Sequence, residues 1–168
     1  EDRIIYRAMR VVVVLGMLNT KGGLSKKLIA CVDFILRNNG LQYIFISEYF
    51  KGQKNIIEKL NTYSGDSQLE FDFNIIEYKS APWDIRFNDI FMYLHIRDII
   101  KSTGNHKLQN IRICLTNRGN ELFEKLNLIF PDEVNFLEIF GQRIAENRAI
   151  KIISESIPKS YWKRNDKL

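Results

Sequence analysis

The run from Ile111 to Leu126 constrains this chain more than any other segment. Ile111, Ile113 and Leu115 alternate with Arg112 and Cys114, which is the period of a half-buried strand. Leu115-Thr116 then leads through Asn117-Arg118-Gly119 into Glu121-Leu122-Phe123-Glu124-Lys125-Leu126, an amphipathic helical pattern with almost no loop between the two elements. The passage from one to the other runs through Leu115-Thr116-x-x-Gly119. Upstream, the extended runs Ile96 to Lys101 and Leu108 to Leu115 flank the polar, basic stretch Ser102-Thr103-Gly104-Asn105-His106-Lys107 and read as a β-hairpin.

The rest of the chain is largely helical in pattern. Ile4 to Leu18 is apolar nearly all round and too long for a single strand, so four consecutive valines notwithstanding it reads as a buried helix. Asn19 to Gly23 is a sharp turn, and Ser25 N-caps a second helix, Ser25 to Arg37, that Asn38-Asn39-Gly40 ends. The segment Leu41 to Ala81 is a variable insert. Within it Leu41 to Ile46 is strand-like, Ile56 to Leu60 a short helix, Asn61 to Ser67 a loop, and Leu69 to Ile75 an alternating strand. Pro82 with Asp84 opens a helix over Ile85 to Leu94. Asn117 to Ile129 is helical, Phe130-Pro131 stops it, and Asp132 caps a final helix with Val134, Leu137, Phe140 and Ile144 on its apolar side. The fold class expected is α+β, mostly α, as one domain over residues 1–150 with a basic extension over 151–168.

Composition bounds the function. A 45% hydrophobic content with eleven Phe, seven Tyr and two Trp supplies a core for a chain of 168 residues. The net charge of +5 permits contact with nucleic acid without requiring it. Two cysteines, Cys31 and Cys114, are too few for a disulfide framework, and the longest uninterrupted apolar stretch, Val11 to Leu18, is too short to span a bilayer. Both point to a cytoplasmic protein with no membrane partner.

Catalytic motifs are weak. Val11 to Leu15 followed by Asn19-Thr20-Lys21-Gly22-Gly23-Leu24-Ser25-Lys26-Lys27 resembles the deviant Walker A box of partitioning-type ATPases. Ser25, however, stands where the third glycine belongs, and Lys27 where a hydroxyl must hold Mg²⁺. A helix-helix turn with a capping serine is the simpler reading. His95 and His106 are the only histidines, and without a Cys/His cluster there is no zinc motif. Asp33, among apolar neighbours, asks for an arginine, with Arg7 or Arg10 as candidates and Arg10 preferred. No catalytic residue, metal or cofactor is expected.

The expected work is binding. Lys101, His106, Lys107 and Arg112 on the hairpin are candidates for contact with DNA or phosphate. The helix before it offers mainly apolar and aromatic residues, so Phe87, Phe91 and Tyr93, with Phe140, Tyr161 and Trp162 further on, are candidates for a partner interface. The arrangement as a whole is similar to a winged-helix domain, with the hairpin as wing and extra N- and C-terminal helices.

Met9 to Leu15, Gly23-Leu24-Ser25, the Leu28 to Asn38 helix with its Asp33-Phe34 pair, and the strand leading to Thr116-x-x-Gly119 resemble the middle-component subunits of bacterial ABC-three-component systems, among them Lamassu-type anti-phage defence systems. Leu41 to Ala81 is unmatched, and Asn38-Asn39-Gly40 departs from the family's His-Ser or Gly-Asp. The resemblance implies a non-catalytic accessory subunit. It would assemble with an SMC-like ABC ATPase and a nuclease effector, and restrain that effector until foreign phage or plasmid DNA is sensed. DNA would then be met through the complex. The alternative is a stand-alone winged-helix transcription regulator, which predicts a homodimer that binds DNA by itself in a salt-sensitive way.

Overall fold

A computed structural model describes residues 4–18, 22–53, 55–56, 75–105, 110–140 and 144–157. The fold is α+β and mostly α, with seven bounded helices and five short strands among the described residues. Contacts divide the chain into two compact units, 1–29 with 86–144 and 30–85 with 145–168.

The first unit is organised on α1 (Ile4–Met17), whose Arg7, Ala8 and Arg10 to Leu15 are all buried. Valine is a poor helix former. Here tertiary burial overrides that preference, because α1 is covered by α4 (Phe87–Ile96), α5 (Asn117–Leu126), α6 (Pro131–Glu138) and a strand. Beneath them lies a three-stranded sheet in the order β1 (Leu24–Ser25), β5 (Arg112–Leu115), β4 (Ile100–Thr103). The hairpin expected from the sequence is present, with Ile100 opposite Leu115 and Thr103 opposite Arg112. The edge strand β1 adds Leu24 opposite Ile113 and Ser25 opposite Arg112. The strand before the hairpin turn starts later than expected, since α4 continues to Ile96. At α6 the N-cap position is Phe130 rather than Asp132, with Pro131 in the first turn, where its missing N–H costs nothing.

The second unit contains the later part of α2 (Lys26–Leu36), then α3 (Asn39–Tyr49), the hairpin β2 (Ile75–Tyr78) and β3 (Ala81–Asp84), and α7 (Glu146–Ser156). Ser25 caps α2 as expected, its Oγ accepting the Leu28 N–H at 3.1 Å. Three expectations are corrected here. Leu41 to Ile46 is helix, and Asn38-Asn39-Gly40 leads into it instead of making a left-handed stop. Asn38 Nδ2 donates to the Phe34 carbonyl at 2.9 Å and Gln42 Nε2 to that of Leu36 at 3.4 Å, so side chains serve the end of α2. Pro82 to Asp84 form a strand, and the following helix begins only at Phe87. The helix at Ala145 is also an addition, because α6 ends at Glu138 and does not reach Ile144. Tyr49 Oη accepts the Ala145 N–H at 2.7 Å, and Arg148 sits over the same ring at 5.1 Å, which ties α7 to α3. The expected short helix and strand within Ile56 to Ile75 lie, apart from those end residues, outside the described residues.

Candidate interaction surface

The junction between β5 and α5 is built as its residues require. Thr116 Oγ1 accepts the Gly119 N–H at 3.0 Å, capping α5, while the Thr116 N–H donates to the Ile99 carbonyl at 3.0 Å. A Cβ on Gly119 would collide with that same carbonyl oxygen. Threonine supplies the cap and glycine the clearance, so the Thr-x-x-Gly spacing follows from backbone packing rather than from a ligand.

The candidate phosphate-binding residues divide. Lys101 is exposed on β4. Arg112 is half-buried and engaged within the protein, its Nε and Nη2 donating to the Gly23 carbonyl at 3.2 and 2.9 Å. Thr103 Oγ1 donates to the neighbouring Gly22 carbonyl at 3.3 Å. The Gly22-Gly23 turn, with φ of 97° and 84°, therefore presents carbonyls to the hairpin. His106 and Lys107 lie outside the described residues.

The candidate interface residues also divide. Phe87 and Phe91 are buried and stacked at 5.6 Å between centroids, so they are core rather than surface. Phe140 is likewise buried, edge-on to Phe136. Phe87 and Phe91 lie on the inward face of α4, and Phe140 follows just after α6. Tyr93 is half-buried, with the Arg97 guanidinium 3.8 Å from its ring centroid. Tyr161 and Trp162 lie outside the described residues. What α4 turns outward is Asn88, Asp89, Met92, His95 and Ile96, and Met92 and Ile96 are 58% and 75% exposed. The His95 ring is held at its Nδ1, 3.1 Å from the Ile100 carbonyl, which makes that nitrogen the donor.

Sequence reasoning missed a cleft within this unit, where α1, α4 and α5 meet. It encloses about 320 Å³, with Ala8, Val12, Leu94 and Ile99 in its floor and Ile5 and Leu122 along its edges. Met9 and Tyr93, both half-buried, and the exposed Arg97, Arg118, Glu121 and Lys125 complete the lining, which thus takes in one sequence candidate, Tyr93. Its signal was present in the spacing of Ile5, Met9 and Val12, an apolar row on one face of α1 that is exposed at Ile5, half-buried at Met9 and buried at Val12.

In the second unit Asp33, fully buried, pairs with Arg37 at 3.3 Å, and the same guanidinium reaches the equally buried Asp84 at 3.2 Å. The sequence candidates for this pairing were Arg7 and Arg10, and Arg37, which the ion pair uses, was not among them. Arg10 stands 5.7 Å from the Tyr6 ring centroid. Among the described residues no group of three His, Cys, Asp or Glu side chains is placed to hold a metal, and no helix is long and apolar enough to cross a membrane. Comparison of the chain with protein-family profiles, with curated proteins and with solved structures gives no match in any of the three.

Proposed function

We propose that this chain is a non-catalytic accessory subunit that works through protein–protein contacts in a bacterial anti-phage defence complex with an SMC-like ABC ATPase and a nuclease effector. The observation that carries the reading is the outward face of α4. In a winged-helix-like arrangement the helix preceding the wing is the one that enters a DNA groove, and such a helix presents Arg, Lys, Asn, Gln or Ser to base edges. Here that position exposes Asn88, Asp89, Met92, His95 and Ile96, with no Arg or Lys on the helix. A face with one carboxylate, two large apolar side chains and no Arg or Lys offers phosphate little attraction, and its apolar part costs free energy when left in water, which suits a protein surface.

The order of elements supports the winged-helix-like reading. Helix, short strand, helix, then after an insert a further helix and a hairpin, with the short strand pairing the second hairpin strand, is the β1-β5-β4 order of the sheet. The identity of the partners rests on the sequence resemblance of the α1, α2 and Thr116–Gly119 segments. The ATPase and nuclease chemistry belongs to them in this reading, and DNA is met through the complex.

The test is purification of the tagged chain from its host, with identification by mass spectrometry of what survives a high-salt wash. A coiled-coil ATPase and a nuclease retained together are the expected outcome. A lone homodimer that shifts DNA at low salt and releases it as salt rises overturns the reading in favour of a transcription regulator.

A further inference from the structure

The cleft between α1, α4 and α5 combines two properties that limit what can fill it. Its apolar lining follows one side of α1 from Ile5 at the edge through Met9 to Val12 in the floor, a length of about 10 Å at the rise of an α-helix. Its rim is cationic. Arg97 stands at the end of α4, and Arg118 and Lys125 stand two turns apart on α5, against the single carboxylate of Glu121. Among the described residues neither Arg118 nor Lys125 has an ion-pair partner, and Arg97 is held by the Tyr93 ring, a contact that leaves its charge in place.

We infer that this cleft is the docking site for an acidic amphipathic helix of a protein partner. The inference rests on the reading of the chain as an interaction subunit and gives that interaction a place and a chemistry. A stripe of apolar floor bounded on both long sides by helices accepts side chains spaced i, i+3 or i+4, and i+7. Cations along its edges then pair with carboxylates flanking that stripe, and so select an acidic helix over a basic one. The volume is at the small end of the roughly 300–1,000 Å³ typical of enclosed ligand sites. A nucleic acid would use the rim and leave the apolar floor wet. The chain's own last ten residues are the wrong sign, with four basic side chains and one acidic.

The probe is a fluorescein-labelled helical peptide of about four turns, with leucines at i, i+3, i+4 and i+7 and glutamates on the flanks. Its counterpart carries lysines in place of the glutamates. Anisotropy with the full chain is expected to give micromolar binding of the acidic peptide and at least about tenfold weaker binding of the basic one. In Arg118→Glu/Lys125→Glu, both changes being at exposed positions, the preference is expected to invert. An unfolded variant cannot produce inversion. Ile5→Glu, at a position 48% exposed, is expected to weaken both peptides. No binding, indifference to the charge reversal, or decanoate displacing the acidic peptide at equal concentration overturns the inference, the last by assigning the cleft to small amphiphiles. Purifying Arg118→Glu/Lys125→Glu from the host separates the two readings. An ATPase complex that survives the reversal removes the cleft from the interface and keeps the proposed function. Peptide selectivity without any such complex keeps the cleft and removes the proposed function.

Discussion

Arg37 shows how much one side chain can hold. Its guanidinium lies within 3.3 Å of Asp33 and 3.2 Å of Asp84, and both carboxylates have no exposed surface. Replacing it with alanine leaves two buried carboxylates facing each other's field without that cation, a change that costs about 3–5 kcal/mol. Urea denaturation of Arg37→Ala should show the midpoint fall accordingly. Asp84→Asn in that background should recover part of the loss, whereas in the wild type it should cost stability. Equal effects in the two backgrounds would mean that the three groups are not coupled. Gly119 is the opposite case, a residue needed for what it lacks. Because its missing Cβ faces a backbone oxygen of Ile99 that Thr116 already binds, Gly119→Ala must displace the β4 entry or the start of α5. A loss of about 2 kcal/mol in a thermal or urea melt is expected, in the range for overpacking a tight site. An unchanged midpoint would show that the junction yields freely.

At the scale of elements, what can be read in advance depends on whether burial is one-sided. α1 is legible because Ile4 to Leu18, fifteen residues broken only by Tyr6, Arg7 and Arg10, exceed a strand's length. The β4–β5 hairpin and the start of α5 are legible from alternation and from the Thr116-x-x-Gly119 passage, whereas the cap that Thr116 makes shows only in the structure. α3 is not, and its residues say why. Leu41, Gln42, Phe45, Ile46 and Tyr49 face inward at helical spacing, but Tyr43 and Ile44 between them are 40% and 36% exposed and still apolar. The outward side of the helix is disguised, and a run of β-branched and aromatic residues then reads as a strand. β1 has only two residues and no periodicity of its own, and it exists through its pairing with Arg112 and Ile113. The cleft escapes notice for a related reason, since it is assembled from three helices distant in sequence. The β2–β3 hairpin lacks the Asn-Gly that tight turns favour, yet Lys79 and Ser80 both take positive φ, 49° and 62°. That geometry yields a signed prediction. Ser80→Gly removes the cost of a left-handed non-glycine residue and should raise stability by about 0.5–1 kcal/mol after glycine's own entropy is counted. Ser80→Val should lower it, because branching at Cβ is worst accommodated there. Chemical denaturation of the pair decides it, and equal or reversed shifts would refute the assignment of the turn.

For the whole molecule, the order of segments matters more than their number. Each compact unit is built from two stretches of chain, 1–29 with 86–144 and 30–85 with 145–168, so no single cut releases either one. The consequence is sharpest for the first unit. α1 buries its valines against α4, α5 and α6, and β1 has β5 as its strand partner, so every one of these partners lies beyond residue 85. A fragment of residues 1–85 therefore carries the buried valine-rich helix α1 without its cover, and one of residues 86–168 carries the cover without the helix it packs on. Neither buries enough apolar surface to offset the entropy of ordering its chain. Each fragment alone is expected to give a poorly dispersed amide NMR spectrum, and 1–85 to aggregate. Co-expressed, the two are expected to co-purify and give the dispersed spectrum of the intact chain, because the cut falls at Ile85, an exposed turn residue between β3 and α4. A well-dispersed spectrum from 86–168 alone would show that the hairpin, α4 and α5 form a self-sufficient nucleus. In that case α1 is an addition to the unit, and the cleft it forms with α4 and α5 is free to open.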